Sequence, residues 1–142
     1  MDAEAFNVYL ICVVALTFNL LFLAGWTGVR RSQAKTFVNP EDAKALKGTL
    51  AEREVDTVER VQAAHRNALE NIPIFAILGL LYVMTGASKT GALAYFVTFT
   101  VARWLHSIMY LRALQPFRTI MFAIGTLVIV GLSIQLLLVA FA

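Results

Sequence analysis

Residues 6–29 read FNVYLICVVALTFNLLFLAGWTGV, a run with no charged side chain. At about 1.5 Å per residue, a helix of that length crosses the roughly 30 Å hydrocarbon layer of a bilayer. Three more stretches of similar length follow, from Val61 to Met84, Thr90 to Leu111 and Phe117 to Phe141. Apolar residues make up 59% of the chain and charged ones only 15%, more apolar side chain than one soluble core of this size can hide. The reading is an all-α integral membrane protein, a single domain over residues 1–142. Helices are expected at about 6–29, 57–84, 90–111 and 117–141, with a polar loop at 30–56. Asp2 and Glu4 stand where a cleaved signal peptide carries basic residues, so the first segment reads as a retained helix. Cys12, the only cysteine, lies among Ile11, Val13 and Val14 and reads as a buried or lipid-facing thiol.

The net charge of +3 does not mark a nucleic-acid binder, because the basic residues form no patch on a soluble module. They report topology instead. Arg30, Arg31, Lys35, Lys44, Lys47, Arg53 and Arg60 lie between the first two apolar segments, and Arg112 and Arg118 flank the third connection. The second connection has only Lys89. The positive-inside rule therefore places the first and third connections in the cytoplasm and both termini on the other side. The second and third connections, Thr85-Gly86-Ala87-Ser88 and the few residues around Gln115-Pro116, are short, which makes successive helices antiparallel neighbours in an up-down-up-down bundle.

Within the polar loop, Asn39-Pro40-Glu41-Asp42 begins a short helix, with Asn39 as N-cap and Gly48 closing its end. Asp56 with Glu59 three residues on resembles a capping box at the start of the second long helix.

The informative residues are the polar ones that enter the membrane. On the second helix, Glu59, Arg66 and Glu70 fall within about 40° of one another at 100° per residue, with Asn67 beside them. On the third, Arg103, His106 and Tyr110 share a narrow arc at i, i+3 and i+7. Arg66, Glu70 and Arg103 left unpaired at mid-membrane would together cost about 8–10 kcal/mol, so they are expected to pair, face the interior or line a wet cavity. The two helices run in opposite directions, and both polar stretches fall in their cytoplasmic halves. Two readings follow from the residues alone: a buried Arg66–Glu70 pair that fixes helix register, with Arg103 snorkelling, or a polar pocket open to the cytoplasm. One pair would suffice for register, so the number of polar groups favours the pocket. His65 points roughly 130° from the Arg66–Glu70 face and reads as a helix or subunit contact. With His106 as the only other histidine, no convergent metal-ligand set is present, and no metal is expected.

The run from Val58 to Ile72, VERVQAAHRNALENI, resembles the second-helix signature of the membrane-associated eicosanoid and glutathione metabolism (MAPEG) family, in its microsomal glutathione transferase and prostaglandin E synthase branch. Phe37-Val38-Asn39-Pro40-Glu41-Asp42 is similar to that branch's first-loop motif, and Arg103-Trp104-Leu105-His106 through Tyr110 to its third-helix pattern. The likeness runs from about residue 27 to 122. It implies a homotrimer with glutathione bound between subunits near the cytoplasmic side. By that resemblance Arg31, Arg66, Asn67, Glu70, His106 and Tyr110 bind glutathione, Arg103 joins them through the third-helix pattern, and Arg118 is the catalytic arginine that stabilises the thiolate. Three positions depart from it. Ala63 stands where relatives carry arginine, Thr119 where the prostaglandin synthases have serine, and Phe122 where they have tyrosine. The resemblance implies a glutathione transferase or peroxidase whose partners are a lipophilic electrophile or lipid hydroperoxide and the surrounding membrane lipid. The host membrane is a bacterial inner membrane or the endoplasmic reticulum. Two alternatives are a non-catalytic lipid-binding scaffold of the same family and a small four-helix transporter. The transporter would be expected to carry an acid inside its first helix, where this chain has none.

Overall fold

A computed structural model describes residues 2–141. Four long helical runs lie alongside one another. The first, α1 (Ala3–Ala34), starts from Asp2, whose side chain accepts from the backbone N–H of Glu4 at 2.8 Å and Ala5 at 3.3 Å. It continues past the expected end at residue 29 because its polar tail remains helical, with Arg30 stacked 5.1 Å over Trp26 and bonded to Gln33. The second run is α3 (Asp56–Met84). The third consists of α4 (Lys89–Ala92), a π-helical turn (Leu93–Val97) and α5 (Thr98–Leu111) end to end, and the fourth is α6 (Phe117–Ala140). Taken singly, α1, α3 and α6 are each long and apolar enough to cross a membrane. The third run differs from the uniform helix expected, because the π turn adds a residue to one coil and shifts the phase of the side chains before it.

The loop after α1 holds α2 (Pro40–Ala45) between two two-residue strands, β1 (Thr36–Phe37) and β2 (Thr49–Leu50), which pair in parallel. This small bridge was not expected in an all-α chain. Asn39 takes the N-cap backbone geometry but makes no capping bond; its amide donates to Asp42 Oδ2 at 3.1 Å instead. Lys47, not Gly48, adopts the left-handed conformation (φ 51°) after α2. Gly48 is needed for space: a Cβ there would lie 2.3 Å from the Phe37 ring and 2.6 Å from the Lys35 carbonyl. Nor does Asp56 cap α3. Val55 is the N-cap residue without a side-chain bond, and Asp56 and Glu59 place negative charge in the positive first turn.

The half of the bundle away from this loop is closed by aromatic rings. Phe75 stacks on Phe99 at 3.9 Å and meets Phe96 edge-on at 5.7 Å, while Tyr9 and Tyr82 approach Phe96 at 5.6 and 6.0 Å. Gly79 permits that packing, since a Cβ would lie 3.1 Å from Tyr9 and 3.2 Å from Phe96. The Tyr9 hydroxyl donates to the Ala76 carbonyl at 2.9 Å, so its polar end is satisfied. Nearer the loop, buried Asn19 of α1 exchanges hydrogen bonds with Ser107 of α5 at 3.2 Å, and Trp104 donates to the Ala15 carbonyl at 3.1 Å. These bonds fix α1 against α5 in register. Cys12 is buried in the core. Outside, Ile11, Phe18, Ile77, Leu127 and Leu138 are exposed, an apolar surface suited to lipid.

Candidate functional site

Polar side chains gather at the loop end of the bundle, on two sides of α3. The first gathering surrounds Arg103. This arginine is 1% exposed, with its stem beside α6, where even a Cβ on Gly125 would meet its Cδ at an ordinary 3.5 Å. One guanidinium nitrogen, Nη2, donates to Asn67 Oδ1 across to α3. A guanidinium has donors only, so the amide oxygen of Asn67 must face it and the amide nitrogen must turn away. Asn67 lines a cavity of about 180 Å³ with His106, Tyr110, Arg118, Thr119 and Phe122. Its lining offers hydrogen-bond donors and contains no carboxylate. Arg103 Nε and Nη1 and His106 Nδ1 are buried without a partner among the described residues.

Arg118 reaches this cavity from the first turn of α6. Its guanidinium carbon lies 4.5 Å from the Tyr110 ring centre, a cation–π contact that fixes its plane. Turned so that its nitrogen donates to Thr119 Oγ1 at 3.0 Å, the Gln115 amide accepts from Arg118 Nε at 3.1 Å and Nη2 at 2.6 Å. A neutral amide and an aromatic face orient the guanidinium and leave its full charge in place. His106 sits edge-on to Tyr110 at 5.6 Å and tilted to Phe122 at 6.1 Å, which closes the inner wall.

On another side of α3, a groove of about 530 Å³ runs against α1, lined by Arg31, Gln62, His65 and Arg66 with Ala24, Thr27 and Leu69. Arg31 forms an ion pair with Glu54 from the loop, its Nε donating at 2.6 Å. Arg66 and Glu70 are both exposed and do not pair. The arginine precedes the acid by four residues, the weaker polarity for a helical pair, and each side chain gains more from water or lipid headgroups. The register pair is therefore absent. His65, set apart from the site by its angle, lies half-buried beside Arg66 in the groove.

Of the eight residues singled out in sequence, Asn67, His106, Tyr110 and Arg118 line one cavity, and Arg103 braces it from behind. Arg31 and Arg66 share the groove instead, and Glu70 lines neither space. Residues 9–138 match the family model described as the MAPEG family. This chain belongs to the MAPEG family. Over 142 residues it is 37% identical to microsomal glutathione S-transferase 1 of Mus musculus, an alignment covering 96% of this chain and 92% of that protein. The same protein of Homo sapiens is likewise 37% identical with the same coverage. Prostaglandin E synthase of Equus caballus is 32% identical over 137 residues, covering 96% of this chain and 90% of that protein. The chain thus aligns along nearly its whole length with MAPEG proteins of two different names, and both polar gatherings lie inside the matched region.

Glu54 was missed in sequence, where one acid in a loop containing Glu52, Arg53 and Asp56 carries no signal. The Asn19–Ser107 pair was half visible: Asn19 stands alone among apolar residues, but its partner is 88 positions away.

Proposed function

We propose that this protein is a glutathione-dependent membrane enzyme. It ionises the glutathione thiol beside Arg118 and adds the sulfur to lipophilic electrophiles or uses it to reduce lipid hydroperoxides. The observation that carries the reading is the donor-lined, carboxylate-free cavity of Asn67, Tyr110 and Arg118, backed by the buried Arg103 charge. A thiol with a pKa near 8.5 is only about 3% ionised at pH 7. Half ionisation there needs a fall of about 1.5 units, equivalent to roughly 2 kcal/mol, which one charge-assisted hydrogen bond can supply. The thiolate then attacks an electrophilic carbon, and the leaving group departs with the bonding electron pair.

Whole-ligand pockets usually run to about 300–1,000 Å³, so the 180 Å³ cavity suits the thiol end of the tripeptide. The rest would lie outside it. Arg31, Arg66 and Glu70 offer the charges its two carboxylates and ammonium require. They face away from the cavity within one chain, so the reading includes a homotrimer in which one subunit's α1–α3 groove completes its neighbour's cavity. The lipophilic substrate would enter from the bilayer between subunits. The loop end would face the cytoplasm, with both termini on the other side, as the distribution of Lys and Arg supports.

The test is an ultraviolet difference spectrum of the purified protein titrated with glutathione at neutral pH, alongside Arg118→Ala. A saturable thiolate band that is lost in the variant is expected. A folded wild-type trimer with no band would end the thiolate reading and favour a lipid-binding scaffold.

A further inference from the structure

Arg31 is held by an acid that the function proposed above does not use. We propose that Glu54 is a positioning residue of the glutathione site and acts through Arg31; this rests on the reading that Arg31 binds glutathione. Glu54 enters from the loop just before α3, and its side chain is only 8% exposed. A single oxygen, Oε1, takes Arg31 Nε at 2.6 Å, forms the ion pair with Nη2, and receives Gln62 Nε2 at 3.5 Å. One edge of the Arg31 fork is thereby fixed, while Nη1 makes no hydrogen bond among the described residues. Arg31 lines the groove that also holds His65 and Arg66. A free edge at a fixed angle is what a ligand carboxylate needs from a guanidinium.

A purely structural tie is a poorer account of Glu54. Its second oxygen, Oε2, is buried without a partner among the described residues, a desolvation cost that a neutral hydrogen bond between loop and helix would avoid. The loop that delivers it is closed by the β1–β2 bridge and by the contact of Gly48 with Phe37, so the carboxylate is anchored by more than its own ion pair. Holding the long Arg31 side chain in place before the ligand arrives lowers the entropy lost on binding.

The experiment measures glutathione affinity by calorimetry, and turnover with 1-chloro-2,4-dinitrobenzene, on the full protein in lipid nanodiscs. Glu54→Ala is expected to weaken glutathione binding about tenfold, the size of one charge-assisted bond, while turnover at saturating glutathione stays within about twofold. Glu54→Gln keeps an oxygen for Arg31 and should restore affinity to within about threefold of wild type. In an Arg31→Ala background, adding Glu54→Ala should change affinity by less than about twofold, because its effect passes through the arginine. If Glu54→Ala does not fold, Glu54→Leu, which retains bulk, replaces it. Affinity that is unchanged or tighter in the single variant, or weakened further in the double variant, overturns the proposal while leaving the glutathione reading intact. A folded wild type that binds no glutathione overturns both.

Discussion

The two ends of this bundle solve the packing problem in opposite ways. At the end away from the loop, Phe75, Phe96 and Phe99 fill the interior with rings, and the Tyr9 hydroxyl beside them has its carbonyl. At the loop end, Arg103 brings a guanidinium into the interior, satisfies one nitrogen through Asn67, and leaves Nε and Nη1 without partners. A chain selected for stability alone would treat both ends as it treats the first. Unpartnered buried groups carry a desolvation cost; among the described residues the Thr100 hydroxyl next to Phe99 is an isolated case, whereas at Arg103 and His106 three such nitrogens cluster. The contrast separates a dry half that holds the helices from a charged half whose donors are suited to an anionic ligand.

That contrast predicts different consequences for substitutions at the two ends. The largest effect is expected from Phe99→Ala, which removes the ring stacked on Phe75 at 3.9 Å. In soluble cores such truncations cost about 3–5 kcal/mol. Between membrane helices the driving force is packing and not release from water, so about 2–3 kcal/mol is expected. Unfolding in graded denaturing detergent should show this loss. Glutathione affinity, measured on the fraction still folded, should change little. A large change in affinity with little loss of stability would show that the two ends are not separate in function.

Asn67→Asp is expected to move stability and function in opposite directions. The aspartate still offers an oxygen to Arg103 and now pairs a carboxylate with that buried charge, so thermal stability should hold or rise. Its second oxygen replaces the donor amide at the cavity wall and repels a thiolate. The thiolate band at neutral pH should weaken by about tenfold or more, roughly 1.5–3 kcal/mol. An unchanged band would mean that the amide nitrogen contributes nothing to the site.

The long helices were legible because hydrophobic length is read locally. The segment from residue 6 to 29 needed no partner to declare itself, and Arg103, His106 and Tyr110 declared a shared face by spacing along one helix. Features that join distant positions were not legible. Asn19 and Ser107 meet across two helices, and Glu54 finds Arg31 only after the loop folds back over itself. The spacing that put Arg66, Asn67 and Glu70 near one another was right about the helix but did not tell which side meets α5. Only Asn67 faces the cavity, because a rotation of 100° per residue separates neighbours more sharply than the breadth of one small pocket allows. The π turn was also invisible, since Leu93 to Val97 carry no Gly or Pro to mark it.

The smallest expected effect is the most specific test of how this cavity is tuned. Phe122 forms part of its wall beside His106, at a position that is tyrosine in the prostaglandin synthases by the resemblance above. Phe122→Tyr adds one hydroxyl and leaves the apolar ring otherwise unchanged. His106 Nδ1 is buried there without a partner among the described residues, and Arg118 and Thr119 lie on the same wall, so a new hydroxyl has a histidine nitrogen, an arginine and, with glutathione bound as proposed, a sulfur to choose from. A neutral hydrogen bond contributes about 0.5–1.5 kcal/mol, so a gain of roughly threefold to tenfold in thiolate formation is expected if the hydroxyl turns to the sulfur. If it turns to His106, fold stability should rise by a similar amount with no change in the thiolate band. Measuring both quantities on one preparation separates the outcomes. A loss of both would mean that the wall has no room for an oxygen, making Phe122 a shape-determining residue at the boundary between the charged cavity and the dry half.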